Sequence, residues 1–236
     1  GFEAGNDITT GVSNTMIGAR AADAQTTGNG TTAVGIDAMG GGVVTGNYNV
    51  ALGQGAGFDV TSGANNIFIG ADAGRSGNPG GAITTDSNHL CLGHASITSA
   101  NVQVAWSVAS DKRDKTDVTP MEMGLDFVNK LEPVTYRWDK RSKYVEKGEE
   151  FRDLITDGTH KEDWLDTGFL AQDVEKLESE YGYNIADKTN LTTTLSNDGD
   201  QYGLTYSKFI PMLVKSVQEL SAKVEDLENN KCKCKK

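Results

Sequence analysis

A glycine that returns at a nearly constant interval through the first 109 residues constrains this chain more than any other feature. Gly1, Gly18, Gly35, Gly53, Gly70 and Gly93 are separated by 17, 17, 18, 17 and 23 residues. From Gly18 onward each follows an apolar residue (Ile17, Val34, Leu52, Ile69, Leu92) and precedes a small one three positions later (Ala21, Ala38, Ala56, Ala73, Ser96). Asn14, Asn49 and Asn66 recur four positions before the glycine. Each unit reads as a short strand, such as Asn66-Ile67-Phe68-Ile69, followed by a Gly/Ala/Asp turn. A second turn follows at Thr61-Ser62-Gly63-Ala64 or Thr45-Gly46-Asn47-Tyr48.

One such unit cannot bury a core of its own. Ordering each residue costs roughly 1–2 kcal/mol in entropy, against only a few apolar side chains per unit. The units must therefore stack on one another or on identical chains. A flexible linker would not hold Ile, Val and Leu at one phase. The expected architecture is an all-β repeat, either a stacked β-roll or an intertwined trimeric β-shaft. Gly1, Ala4 and Gly5 fit the same frame, so the chain is expected to begin inside a repeat, as a fragment of something longer.

Composition changes abruptly at Ala109-Ser110-Asp111. Residues 1–109 hold 21 of the 28 glycines and 9 charged residues, whereas 110–236 hold 7 glycines and 46 charged residues. Two domains are expected, 1–109 and 110–236. The net charge of −11 argues against a nucleic-acid-binding surface, which would concentrate Lys and Arg. No apolar run approaches the roughly 18 residues of a membrane span, and the first residues lack the pattern of a signal peptide. Three cysteines form no disulfide framework.

The second half reads as α+β. Thr119-Pro120-Met121-Glu122 predicts a helix start with Thr119 as N-cap and Glu122 closing a capping box. Met121, Leu125, Val128 and Leu131 continue it at helical spacing until Pro133. Val134–Trp138 alternates as a strand, 139–163 reads as an exposed excursion, and Thr167–Leu170 as a strand leading into a helix Ala171–Glu180. Residues 184–200 read as a polar loop. A last helix, about Ser207–Asn230, carries Leu213, Val217, Leu220, Val224 and Leu227 at steps of 4, 3, 4 and 3, the seam of a coiled coil.

At the composition break stands Ser110-Asp111-Lys112-Arg113-Asp114-Lys115. Together with Gly168-Phe169-Leu170-Ala171-Gln172-Asp173-Val174-Glu175 and the helix from Tyr206 to Leu220, it closely resembles the C-terminal intramolecular chaperone domain of endosialidases, phage tail fibres and neck appendages. The resemblance covers about residues 107–230. The upstream units resemble the Asn-x-x-Ile-Gly-x-x-Ala-Gly repeats of trimeric adhesin heads and phage fibre stalks. What the first resemblance implies is a homotrimer that folds on the growing fibre and cuts itself before the motif serine. The scissile bond is then Ala109–Ser110, with Ser110 the nucleophile, Lys115 the general base, and Asp111, Arg113 and Gln172 supporting. The implied partners are two further copies, an upstream fibre segment and a host receptor for the mature fibre. The implied location is the virion for 1–109, with the chaperone released into the host cytoplasm.

The chemistry has an independent rationale. A serine after the scissile bond can attack the preceding carbonyl through a five-membered ring, giving an N→O acyl shift and a hydrolysable ester. Serine still needs a base, and a lysine serves only if its pKa falls from its usual ~10.4 towards neutrality. Positions i and i+5 diverge by ~140° in a helix and face opposite sides of a strand. Ser110 and Lys115 can therefore meet only across an irregular turn or between chains. The expectation is that trimerisation completes the pair and desolvates the lysine.

Other chemistry-bearing residues read as structural. His89, Cys91 and His94 lie in one repeat, where a threefold axis could gather them around a metal, but an ordinary strand with alternating faces accounts for them. Cys232 and Cys234 sit in a Lys-rich tail that reads as a frayed end. Asn197-Asp198-Gly199-Asp200 reads as a tight turn, lacking the further ligands of a calcium loop. No cofactor site is expected. Two other functions are distinguishable from a self-releasing chaperone. An inert trimerising cap would leave the chain uncut at Ser110. A glycan-degrading enzyme would need a carboxylate pair that the first 109 residues do not present in any catalytic setting.

Overall fold

The computed structural model describes residues 1–78, 80–145 and 153–233, apart from the side chains of 231–233. These residues form two compact units. One comprises the described residues of 1–99, 137–164 and 195–201; the other comprises those of 100–136, 165–194 and 202–233.

The first unit is a β-solenoid. Its strands β1 (Thr15–Ile17), β2 (Thr32–Val34), β3 (Val50–Leu52), β4 (Ile67–Ile69) and β5 (Leu90–Leu92) stack in sequence order as one parallel sheet. Register follows the repeat: Met16, Ala33, Ala51, Phe68 and Cys91 align as the central residue of each strand. From Ala33 onward these residues are buried, and they form a core with Ala21, Ala38, Met39, Val44, Ala56, Val60, Ala73 and Ile83. Their neighbours Ile17, Leu52, Ile67, Ile69, Leu90 and Leu92 point the other way and remain exposed. The coils thus stack within one chain, which is the first of the two architectures expected.

The spacing of the glycines has a steric cause. A Cβ on Gly35, whose φ is +137°, would lie 2.4 Å from the carbonyl oxygen of Gly53 on the next coil. At the opposite corner, a Cβ on Gly46 would meet the carbonyl of Gly63 even more closely. Stacked backbones approach too closely at both corners for any side chain.

The recurring asparagines link the coils. Asn49 Oδ1 accepts the backbone N–H of Asn66 at 3.0 Å, while its Nδ2 donates to the carbonyl of Gly63 at 2.8 Å. Asn66 repeats the pattern, accepting from His89 N–H at 2.9 Å and donating to Asp86 O at 2.7 Å. Asn14 does the same toward Thr31 and Gly28. Each amide satisfies one backbone donor and one backbone acceptor of the following coil. Between Asn14 and Asn49 the ladder position is Thr31, which is fully buried. Its Oγ1 has no partner among the described residues.

Residues 137–145 and 153–164 group with this unit. They contain a 3-10 turn at Arg141–Lys143, and Glu162 pairs with Lys140 and Lys143 at 3.3 and 3.5 Å. Lys140 also donates to the carbonyl of Ala95 at 2.8 Å.

In the second unit, α1 (Leu125–Lys130) starts five residues later than the sequence indicates. Thr119 and Glu122 form no capping box. Instead Glu219, 94 residues away, accepts the N–H of Leu125 at 2.7 Å, and Gly124 is the N-cap. Gly124 leaves room for that carboxylate: a Cβ there would lie 2.5 Å from it. A cap reaching in from another helix overrides the local signal.

β6 (Val134–Tyr136) pairs antiparallel with β7 (Asp166–Gly168), which leads into α2 (Ala171–Glu180). The stretch 184–200 is not all loop. It contains β8 (Thr193–Leu195), which forms a hairpin sheet with β9 (Tyr202–Leu204). β8 begins where Thr192 and Thr193 are buried on Glu178 of α2. That carboxylate accepts from Thr192 N–H, Thr192 Oγ1 and Thr193 Oγ1, each at 2.6 Å. A buried carboxylate persists only when its lone pairs are filled in this way. Helix α3 (Phe209–Lys233) follows a 3-10 turn at Tyr206–Lys208. Phe209 and Met212 pack with Met123, Phe127, Val174 and Leu177 in the core of this unit. The seam residues Leu213, Val217, Leu220, Val224 and Leu227 all face outward and are exposed.

Candidate functional site

The motif after the composition break folds as an isolated 3-10 turn, Lys112–Asp114, between two extended residues. Asp111 precedes it at φ −66°, ψ 134°, and Lys115 follows at φ −122°, ψ 136°. The turn closes through Asp114 N–H to Asp111 O at 3.2 Å and Lys115 N–H to Lys112 O at 3.3 Å. One tight turn between extended flanks brings the flanks to the same side. Lys115 then reaches back, so that Nζ lies 2.5 Å from Ser110 Oγ and 3.4 Å from the Ser110 carbonyl oxygen. Of the two ways for these residues to meet, the chain adopts the irregular turn, and the contact is made within one molecule.

Asp111 and Arg113 complete the motif. Asp111 Oδ1 accepts the backbone N–H of Arg113 at 2.9 Å, capping the turn. The guanidinium of Arg113 folds onto the same carboxylate, with Nη2 at 2.6 Å from Oδ2 and Nε at 3.1 and 3.2 Å from the two oxygens. The guanidinium, and then the backbone N–H, hold the Asp111 carboxyl below its usual range, while the carboxylate raises Arg113. Residues 101–120 are exposed throughout, so Ser110, Lys115 and the Ala109–Ser110 bond all face solvent in the single chain.

Gln172 is exposed in the first turn of α2. Among the described residues no hydrogen bond joins it to Ser110 or Lys115. The His89–Cys91–His94 group separates in the fold. Cys91 turns into the solenoid core, where burial pushes its thiol pKa up, and His94 Nδ1 is 2.8 Å from Ser96 Oγ. No cluster of metal-ligating side chains occurs among the described residues. Cys234 and the side chain of Cys232 lie outside the described residues. Asn197–Asp200 forms the tip of the β8–β9 hairpin, where Asp198 accepts the backbone N–H of Ala82 at 2.8 Å. That contact to the solenoid had no signal in the sequence.

Among the described residues no helix is long and apolar enough to cross a membrane. The sequence model of a family described as chaperone of endosialidase matches residues 110–183, beginning at Ser110. The match supports a chaperone domain of that kind in the second half of the chain, over residues 110–183. No curated protein matches the chain at a significant level.

Proposed function

We propose that residues 110–236 are a folding and trimerising chaperone of a viral tail fibre or spike, and that they cut the Ala109–Ser110 bond by a Ser110–Lys115 dyad. The observation that carries this reading is the 2.5 Å approach of Lys115 Nζ to Ser110 Oγ, at the residue where the family match begins. Ser110 Oγ attacks the carbonyl carbon of Ala109, and the C–N bond breaks. Ala109 becomes an ester on Ser110, whose nitrogen becomes a free amine. The hydroxyl proton passes to neutral Lys115 Nζ and on to the leaving nitrogen. Water then hydrolyses the ester, freeing the Ala109 carboxylate and restoring the serine hydroxyl. The same reading makes 1–109 part of the mature fibre, continuous with an upstream segment, and the chaperone a released product.

Two surfaces support self-association. The α3 seam presents Leu213, Val217, Leu220, Val224 and Leu227 to solvent in the lone chain, and the outer sheet face presents Ile17, Leu52, Ile69 and Leu92. A seam of period 3.5 is covered economically only by the same seam on another copy. Exposure of the dyad gives assembly a second role. A lysine acts as base when water and its own charge are removed, and neighbouring copies supply that burial. Cleavage then follows assembly rather than preceding it. The same exposure favours one rival reading, a trimerising cap that never cuts.

A denaturing gel of the purified trimer separates the two. Fragments ending at Ala109 and starting at Ser110, absent from Ser110→Ala and Lys115→Ala, are the expected result. A wild-type trimer that stays intact on prolonged incubation leaves the inert cap.

A further inference from the structure

We propose that Asp111 and Arg113 are the positioning residues of the dyad: together they hold the 3-10 turn that carries Lys115 to Ser110. The assignment rests on the self-cleavage reading above.

The turn has little else to hold it. It is a single turn, with none of the cooperativity of a longer helix, and none of its residues is buried. Left to backbone bonds alone, residues 110–115 would sample many conformations. Regular helix and strand, the commonest of these, both direct Ser110 and Lys115 apart. Asp111 Oδ1 fixes the start of the turn by taking the N–H of Arg113 at 2.9 Å. Arg113 then fixes the Asp111 carboxylate by gripping it with Nε and Nη2. The carboxylate is held from two directions, by the backbone and by a planar fork that lysine cannot reproduce. In Ser-Asp-x-Arg-x-Lys the four named residues thus act in turn as nucleophile, cap, clamp and base, while Lys112 and Asp114 supply backbone to the turn. An exposed ion pair contributes little to overall stability. Its effect here is on the local concentration of the Lys115 amine at the serine oxygen, where small losses of order cost rate steeply.

The test is the cleavage rate of the full chain as an assembled trimer, followed by densitometry of a denaturing gel across pH. Asp111→Ala is expected to slow cleavage on the order of tenfold or more. Asp111→Asn keeps an oxygen for the Arg113 N–H but loses the two-oxygen grip, and it recovers only part of the rate. Arg113→Ala slows cleavage severalfold, Arg113→Lys does the same because it lacks the planar fork, and Lys112→Ala cuts like wild type. Because positioning leaves the base itself alone, the midpoint of the pH–rate profile moves by no more than about half a unit in the Asp111 variants, as expected for one exposed charge. Wild-type rates for Asp111→Ala, in chains shown by sizing to be trimers, overturn the proposal. So does a midpoint displaced by a full unit or more, which would make the pair tuners of Lys115. Fragments still formed by Ser110→Ala would instead sink the dyad reading itself.

Discussion

Glu219 on α3 accepts the backbone N–H of Leu125 at 2.7 Å, so the helix that bears the exposed seam also caps the first helix of its unit. The N–H of Leu125, followed by Lys215, holds the Glu219 carboxyl below its usual range. A carboxylate depressed on folding contributes stability above its unfolded pKa and loses it as pH falls through the folded value. The melting temperature of Glu219→Ala should therefore lie below wild type at neutral pH, with the gap closing below about pH 4. Thermal melts followed by circular dichroism at pH 7 and pH 3 check this; an equal gap at both pH values contradicts the assigned role.

Asn49 is fully buried and serves one N–H and one C=O of neighbouring coils. Asn49→Ala strands both and should cost about 2–4 kcal/mol of solenoid stability in a denaturant titration. Loss of less than about half a kcal/mol would mean that water replaces the ladder.

Thr31 occupies the ladder position with an unpartnered buried hydroxyl. Thr31→Asn should restore the missing rung toward Asn49 and Gly46 and stabilise the solenoid by about 1 kcal/mol. A lowered denaturation midpoint would show that the coil cannot admit the larger side chain.

Gly35→Ala should be among the most damaging small substitutions, since it combines φ +137° with a 2.4 Å clash against Gly53 O. A loss of at least about 2–3 kcal/mol is expected. Gly42→Ala is the control: its nearest neighbour would be Thr61 Cγ2 at 3.6 Å, and it should be close to neutral.

Leu220 is half exposed on α3 and belongs to the seam, not to the core of its unit. Leu220→Asp should abolish self-association in analytical ultracentrifugation while leaving the circular dichroism of the lone chain unchanged. A trimer that survives this change places the interface elsewhere.

Much of the solenoid was legible because its determinants are local and repeated. Period-2 alternation places Phe68 on the face opposite Ile67 and Ile69, but all three are apolar, and only the packing of the coils decided that Phe68 turns inward while the two isoleucines stay exposed. The function of Asn49 was less legible. Its recurrence was visible, but which backbone groups it serves depends on how adjacent coils stack. Helix α2 begins and ends as its pattern indicates, whereas α1 does not, because its cap comes from Glu219, and nothing near Thr119 announces a partner so distant in the chain. The strand β8 was hidden in a polar stretch because Thr193 and the preceding Thr192 are buried against Glu178, a pairing of polar groups that hydropathy cannot register.

The candidate site divides in the same way. The residue types of Ser110 and Lys115, their place at the composition break and their spacing belong to the sequence, as do the stacking period and the coiled-coil pattern of α3. Each follows from steric and apolar periodicities written in neighbouring residues. Only the tertiary structure decided that the serine and lysine touch within one chain, through a turn capped by Asp111 and clamped by Arg113. It also decided that the described residues of 137–164 and 195–201 group with the solenoid unit. Such contacts depend on where the chain places a few directional donors and acceptors. Hydrogen-bond geometry at a contact that occurs once, unlike a hydrophobic period or the recurring asparagines, leaves no repeating trace in the order of the residues.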